Sequence, residues 1–128
     1  MNTSPTAPQM RLIRFALLLG ILIWGAVAAF LASSAGLTVG LNAPGPLASV
    51  VAFLVVAAAG ALLYIRRLLE DEEDFSRRTR LLIIGHVTCE ISALFGGVHL
   101  ITTGGLLPYA AGLTVFLFSF ILLPVEKV

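Results

Sequence analysis

The sequence predicts an all-α fold: an integral membrane, up-and-down bundle of four transmembrane helices with both termini cytoplasmic. Three observations carry that expectation. Of the 128 residues, 59% are hydrophobic and only 12% charged. That is about half the charged share of a soluble domain, too little polar side chain to cover a water-facing surface. Four apolar runs approach the roughly 20 helical residues that a hydrocarbon core requires. All eight Lys and Arg residues fall at matching ends of those runs, on the side that the positive-inside bias assigns to the cytoplasm.

The spans are expected over residues 15–36, 47–65, 81–103 and 107–123 of a single four-helix membrane domain. None shows the strict alternation of a barrel strand, and backbone groups in hydrocarbon must pair within their own segment, which selects helices. Asn42-Ala43-Pro44-Gly45-Pro46 reads as a turn, with Pro46 suited to the first position of the second helix, where its missing N–H costs nothing. Gly104-Gly105 can end the third helix, Pro108 can open the fourth, and Tyr109 then falls at the membrane interface. These outer joints are short and uncharged, so consecutive helices are expected to pack as antiparallel hairpins. Arg11 and Arg14 are placed ahead of the first helix, five arginines in the central loop and Lys127 after the last helix. The small residues Ala32-Ser33-Ser34-Ala35 allow an alternative reading of the first span as a cleaved signal peptide, although its apolar run exceeds the usual 7–15 residues.

Between the second and third spans, residues 66–80 read RRLLEDEEDFSRRTR, an expected cytoplasmic loop. Glu73 with Arg77 and Asp74 with Arg78 have the favourable acid-first i,i+4 order, so a helix can extend into this segment as a charged stub. Alternatively Ser76 caps the third helix while Arg77, Arg78 and Arg80 touch headgroups. The segment fixes topology as a solvated loop. In the sharper reading, Glu70, Asp71, Glu72, Glu73 and Asp74 form a cytoplasmic docking site.

One charged residue is expected inside a span. Glu90 lies ten residues into the third, roughly 15 Å deep. A carboxylate there costs at least ~2.5 kcal/mol, and desolvation favours the neutral acid. His86 lies one turn earlier on the same face, and Ala93 and Gly97 continue it as a small-xxx-small packing stripe. Glu90 and His86 are therefore the proton- or ion-binding candidates, and Ala93 and Gly97 the helix-packing candidates. In the packing reading, Glu90 instead hydrogen-bonds to His86 or to a partner subunit. Thr88 and Ser92 are expected to bond carbonyls of their own helix. The single cysteine, Cys89, is expected to pack as a small buried residue. His86 and His99 point to different sides of the helix, so neither haem nor metal ligation is expected.

The stretch RRTRLLIIGHVTCEISALFGGV (77–98) resembles the proton-carrying helix of the ATP synthase membrane ring subunit, the proteolipid or subunit c. Gly85, Glu90, Ala93, Leu94, Phe95 and Gly96 follow that family's order of a glycine, a carboxylate five residues on, then Ala-Leu-aromatic-Gly. The resemblance implies that Glu90 binds and releases the translocated proton. It further implies that Ala57-Ala58-Ala59-Gly60-Ala61 lies on the small-residue inner helix of a hairpin. The family's Arg-Gln-Pro loop signature is replaced here by the acidic run. An internal likeness, Trp24-Gly25-Ala26-Val27 to Phe95-Gly96-Gly97-Val98, suggests two related hairpins, with Leu19 where the second carries Glu90.

No nucleophile–base pair, phosphate loop or metal cluster is legible, and no basic patch suits nucleic acid. The expected function is a small non-catalytic subunit of the bacterial inner membrane, without a cofactor. Its expected partners are the lipid bilayer and either further copies of itself, as a homo-oligomer, or a larger membrane-protein complex. Proton or ion transfer through Glu90 is the alternative.

Overall fold

A computed structural model describes residues 6–41 and 45–125. The chain forms four helices: α1 (Ala7–Ser34), α2 (Pro46–Glu70), α3 (Phe75–Thr103) and α4 (Leu107–Leu122). α1, α2 and α3 are each long and apolar enough to cross a membrane; α4 is a shorter apolar helix of 16 residues. The turn residues Asn42, Ala43 and Pro44, and Lys127, lie outside the described residues.

Helix bounds differ from expectation mainly at the arginine-bearing end. Arg11 and Arg14 sit inside α1, because Thr6 and Gln9 form a capping box around Pro8: each side chain accepts a hydrogen bond from the other's backbone N–H. α2 runs on past Ile65 to Glu70 as a charged stub, and α3 begins at Phe75, so the joint shrinks to residues 71–74. Asp74, not Ser76, caps α3, its carboxylate accepting from the Ser76 backbone N–H at 3.0 Å. The ion pairs here join Arg66 to Glu70 and Arg77 to Glu72, both at 3.9 Å. Neither is one of the expected acid-first pairs, Glu73–Arg77 or Asp74–Arg78; Arg66–Glu70 has i,i+4 spacing in the base-first order.

The packing order also departs from consecutive hairpins. α3 packs against all three other helices, whereas α1 and α2 do not pack against each other among the described residues. The cause lies at the far end. After α1 the chain lies against the α3–α4 turn: Gly40 N–H donates to the Gly104 carbonyl at 3.0 Å, and Leu106 and Leu107 donate back to Gly40 and Leu41 at 2.8 and 2.9 Å. Gly104 caps α3 at φ 78°. Lacking a Cβ, it adopts that left-handed conformation without strain and avoids the 2.5 Å approach that a Cβ would make to the Thr38 carbonyl oxygen. The connector therefore passes over the α3–α4 hairpin, and α1 and α2 flank α3 separately.

Glycine then sets how closely the helices approach. A Cβ on Gly96 would lie 2.5 Å from the Tyr109 Cα, and one on Gly112 2.5 Å from the Ala93 backbone nitrogen. α3 and α4 thus touch backbone to backbone near their shared turn. Gly97 receives the Trp24 indole and Gly25 the Tyr109 ring. Tyr109 is buried inside the bundle and donates to the Ile21 carbonyl at 2.7 Å. Phe116, Met10, Ile21, Leu82 and Leu100 complete the fully buried apolar interior.

Candidate functional site

Halfway along α3, on the face turned toward α1, Glu90 is only partly buried. Its face is fixed by the contacts above and below it. Four and seven residues on, α1 meets α3 where Trp24 Nε1 donates to the Leu94 carbonyl at 3.2 Å and the indole fills the space over Gly97. One turn below, His86 is fully buried. Among the described residues the Glu90 carboxyl makes no hydrogen bond or ion pair. The expected contact with His86 is not made, because His86 is committed to α4.

That commitment defines the imidazole's state. His86 Nδ1 lies 2.8 Å from Ser119 Oγ, and the Ser119 hydroxyl donates to the Phe116 carbonyl. A hydroxyl has a single proton, so Nδ1–H is the donor to Ser119 and Nε2 carries the lone pair. This Nε2 is buried without a partner among the described residues. The ring stands edge-on to Phe120, centroids 5.2 Å apart at 88°.

Two cations brace this half of the bundle, where sequence reasoning placed only Glu90. The Arg14 guanidinium reaches from α1 to the Phe120 carbonyl and sits 4.7 Å from the centre of the Phe120 ring, combining a bond to a helix C-terminal carbonyl with a cation–π contact. Arg78 is 6% exposed and donates to the Leu69 carbonyl at 2.8 Å and the Pro124 carbonyl at 3.1 Å. Its partners are the negative ends of α2 and of the α4 terminus, so peptide dipoles compensate its charge in place of a carboxylate. The Thr6-x-x-Gln9 box with Pro8 was the legible signal that Arg14 belongs to a helix. Nothing in the sequence marked Ser119 or the Arg78 carbonyl pair.

The remaining candidates are dispersed. Thr88 bonds the Ile84 carbonyl at 2.7 Å, whereas the Ser92 hydroxyl is buried with no partner among the described residues, contrary to the expectation of a carbonyl bond. Ala93 is fully buried against Gly112, and Gly97 against Trp24, so the stripe divides between α4 and α1. Cys89 is buried and free. Glu70, Asp71, Glu73 and Asp74 are exposed and Glu72 half-buried around the α2–α3 joint. His86 and His99 are both buried at different sides of α3, His99 lying near Gly45 at the start of α2.

The arrangement offers a carboxyl able to exchange a proton or take a partner's hydrogen bond, one helical turn above a buried imidazole acceptor. The chain matches no protein-family model, no curated protein and no solved structure.

Proposed function

We propose that this chain is a small non-catalytic membrane subunit that associates laterally with a second copy or with a larger membrane protein. Glu90 supplies the polar contact in that association. In this reading all four helices span the bacterial inner membrane, with both termini and the acidic α2–α3 joint in the cytoplasm, as the one-sided arginines favour. The observation that carries it is the state of Glu90: mid-helix, partly exposed and without a partner among the described residues. A carboxyl at that depth is costly unless something completes it, and a neighbouring subunit's helix is the natural source. The exposed apolar rows on α1 (Phe15, Leu19, Ile23, Phe30) and α2 (Phe53, Val56, Leu63) suit such lateral contact as well as lipid.

The test is in-membrane crosslinking and co-purification of the full chain bearing Glu90→Gln or Glu90→Ala. The amide keeps a hydrogen-bonding head, so Gln retains the complexes, while Ala loses them. Complexes unchanged in Glu90→Ala would sink the proposal.

A second reading, reversible proton carriage, draws on the same carboxyl, on the unpartnered Nε2 of His86 one turn away, and on the resemblance of residues 85–96 to the proteolipid helix. It is separated by Glu90→Gln, which would then assemble normally but abolish proton transfer in reconstituted vesicles.

A further inference from the structure

We infer that the groove between the end of α2 and the start of α3 is a binding site for an anionic glycerophospholipid, with Arg80 as its headgroup contact. The groove encloses about 370 Å³ and is lined by Leu68, Glu72, Arg77, Arg80, Leu81 and Ile84. Its charged wall holds two guanidinium groups against one carboxylate, and that carboxylate, Glu72, is already drawn to Arg77 at 3.9 Å. Arg80 is exposed and has no hydrogen bond or ion pair among the described residues. One monoanionic phosphate would neutralise the surplus.

Two further features favour a lipid over a free anion. The first is an apolar rail. Arg80, Ile84, Val87, Ile91 and Val98 follow one another at steps of three, four and seven along α3, so they share a face. The four apolar members are 54%, 42%, 39% and 39% exposed. Among the described residues no other helix covers that face, and an acyl chain laid along it would start at the arginine. The second is position in the helix. Arg77 and Arg80 stand within the first two turns of α3, where the capping carboxylate, Asp74, is already bonded to the Ser76 backbone N–H. Both guanidinium groups lie at the end of the apolar rail, so a phosphate attached to a chain on that rail would meet them.

Neighbouring grooves lack this combination. Along α2 the groove lined by Gly60, Leu63, Tyr64, Arg66, Arg67 and Glu70 is made by one helix, and Arg66 is paired with Glu70. In the groove beside α4, Arg78 is consumed by the Leu69 and Pro124 carbonyls.

The experiment is spin-label EPR of the full chain in phosphatidylcholine vesicles, comparing labelled phosphatidylglycerol with labelled phosphatidylcholine in the motionally restricted shell. The wild type should prefer phosphatidylglycerol. Arg80→Gln should cut the preference about fivefold, the equivalent of roughly 1 kcal/mol for one arginine at a membrane surface, and Arg80→Lys should restore most of it. Arg67→Gln removes an equal charge outside the groove and should leave the preference nearly intact. Glu90→Gln should also leave it intact, which separates this site from the lateral contact proposed above. Equal affinity of the wild type for both lipids, an unchanged preference in Arg80→Gln, or an equal loss in Arg67→Gln would overturn the assignment.

Discussion

Toward the glycine turn, α3 and α4 meet backbone to backbone; toward the arginines, the same two helices are joined through an imidazole, a hydroxyl and a guanidinium. At the first end, Gly96 and Gly112 remove the side chain at each point of closest approach, and residues 40–41 add backbone hydrogen bonds to Gly104, Leu106 and Leu107. At the second, His86–Ser119, Arg14–Phe120 and Arg78 on two carbonyls supply side-chain links. Buried atoms without partners among the described residues occur at both ends: at Thr79, His86 and Arg78 in the polar seam, and at Ser92 beside the Gly112 contact. The comparison teaches that close backbone contact holds without polar links, whereas a polar seam needs every donor and acceptor matched. The unmatched seam is where adjustment, hydration or exchange can enter.

The sharpest way to break the comparison is to put a side chain into the glycine contact. Gly96→Val should be the most damaging change, costing about 3 kcal/mol, because the 2.5 Å approach is to Tyr109 backbone that cannot swing aside. Unfolding of the purified chain by SDS titration would register it, and a loss below 1 kcal/mol would contradict the packing described. Next comes Arg78→Met, which keeps much of the side-chain volume but strands the Leu69 and Pro124 carbonyls. About 2 kcal/mol is expected in the same assay, from hydrogen bonds to a charged donor. Tyr109→Phe removes only the bond to the Ile21 carbonyl and should cost about 1 kcal/mol. If it costs more than Arg78→Met, the tie between α4 and α1 outweighs the arginine end and the ranking is wrong.

The smallest effect is expected at the residue that most suggests function. Glu90 has no partner among the described residues, so Glu90→Gln should change the stability of the isolated subunit by less than about 0.5 kcal/mol, as for a site outside any internal network. Its consequences should appear only in assembly or proton transfer. Carbodiimide labelling sharpens the point. Glu90 should react readily in the purified chain and be protected once a lateral partner covers it, as peptide mass spectrometry would show.

Helices were legible because hydrophobic length, Pro46, Pro108 and Gly104 are local signals that act within a few residues. The α1 start was equally local but hidden in a polar preface, where Thr6, Pro8 and Gln9 form the cap while the arginines draw attention. The α2–α3 joint misled for a related reason. A run of charges reads as solvated loop, yet Arg66 to Glu70 continues the helix and Arg78 turns inward to carbonyls that only the folded chain brings near. At Glu90 the sequence marked the residue but not its neighbours, since Ser119 lies 33 residues from the imidazole it engages.

Composition and apolar run length determined that this is an all-helical chain with membrane-compatible helices and one carboxyl in the middle of an apolar helix. These properties depend on solvent preference residue by residue, and need no knowledge of what touches what. Tertiary structure decided that α3 is the central helix, that α1 and α2 stay apart, that His86 serves Ser119, and that Glu90 is left open. Those outcomes depend on which glycines admit a neighbouring backbone and on a connector that passes over the α3–α4 turn, and both are set by contacts between residues distant in the chain.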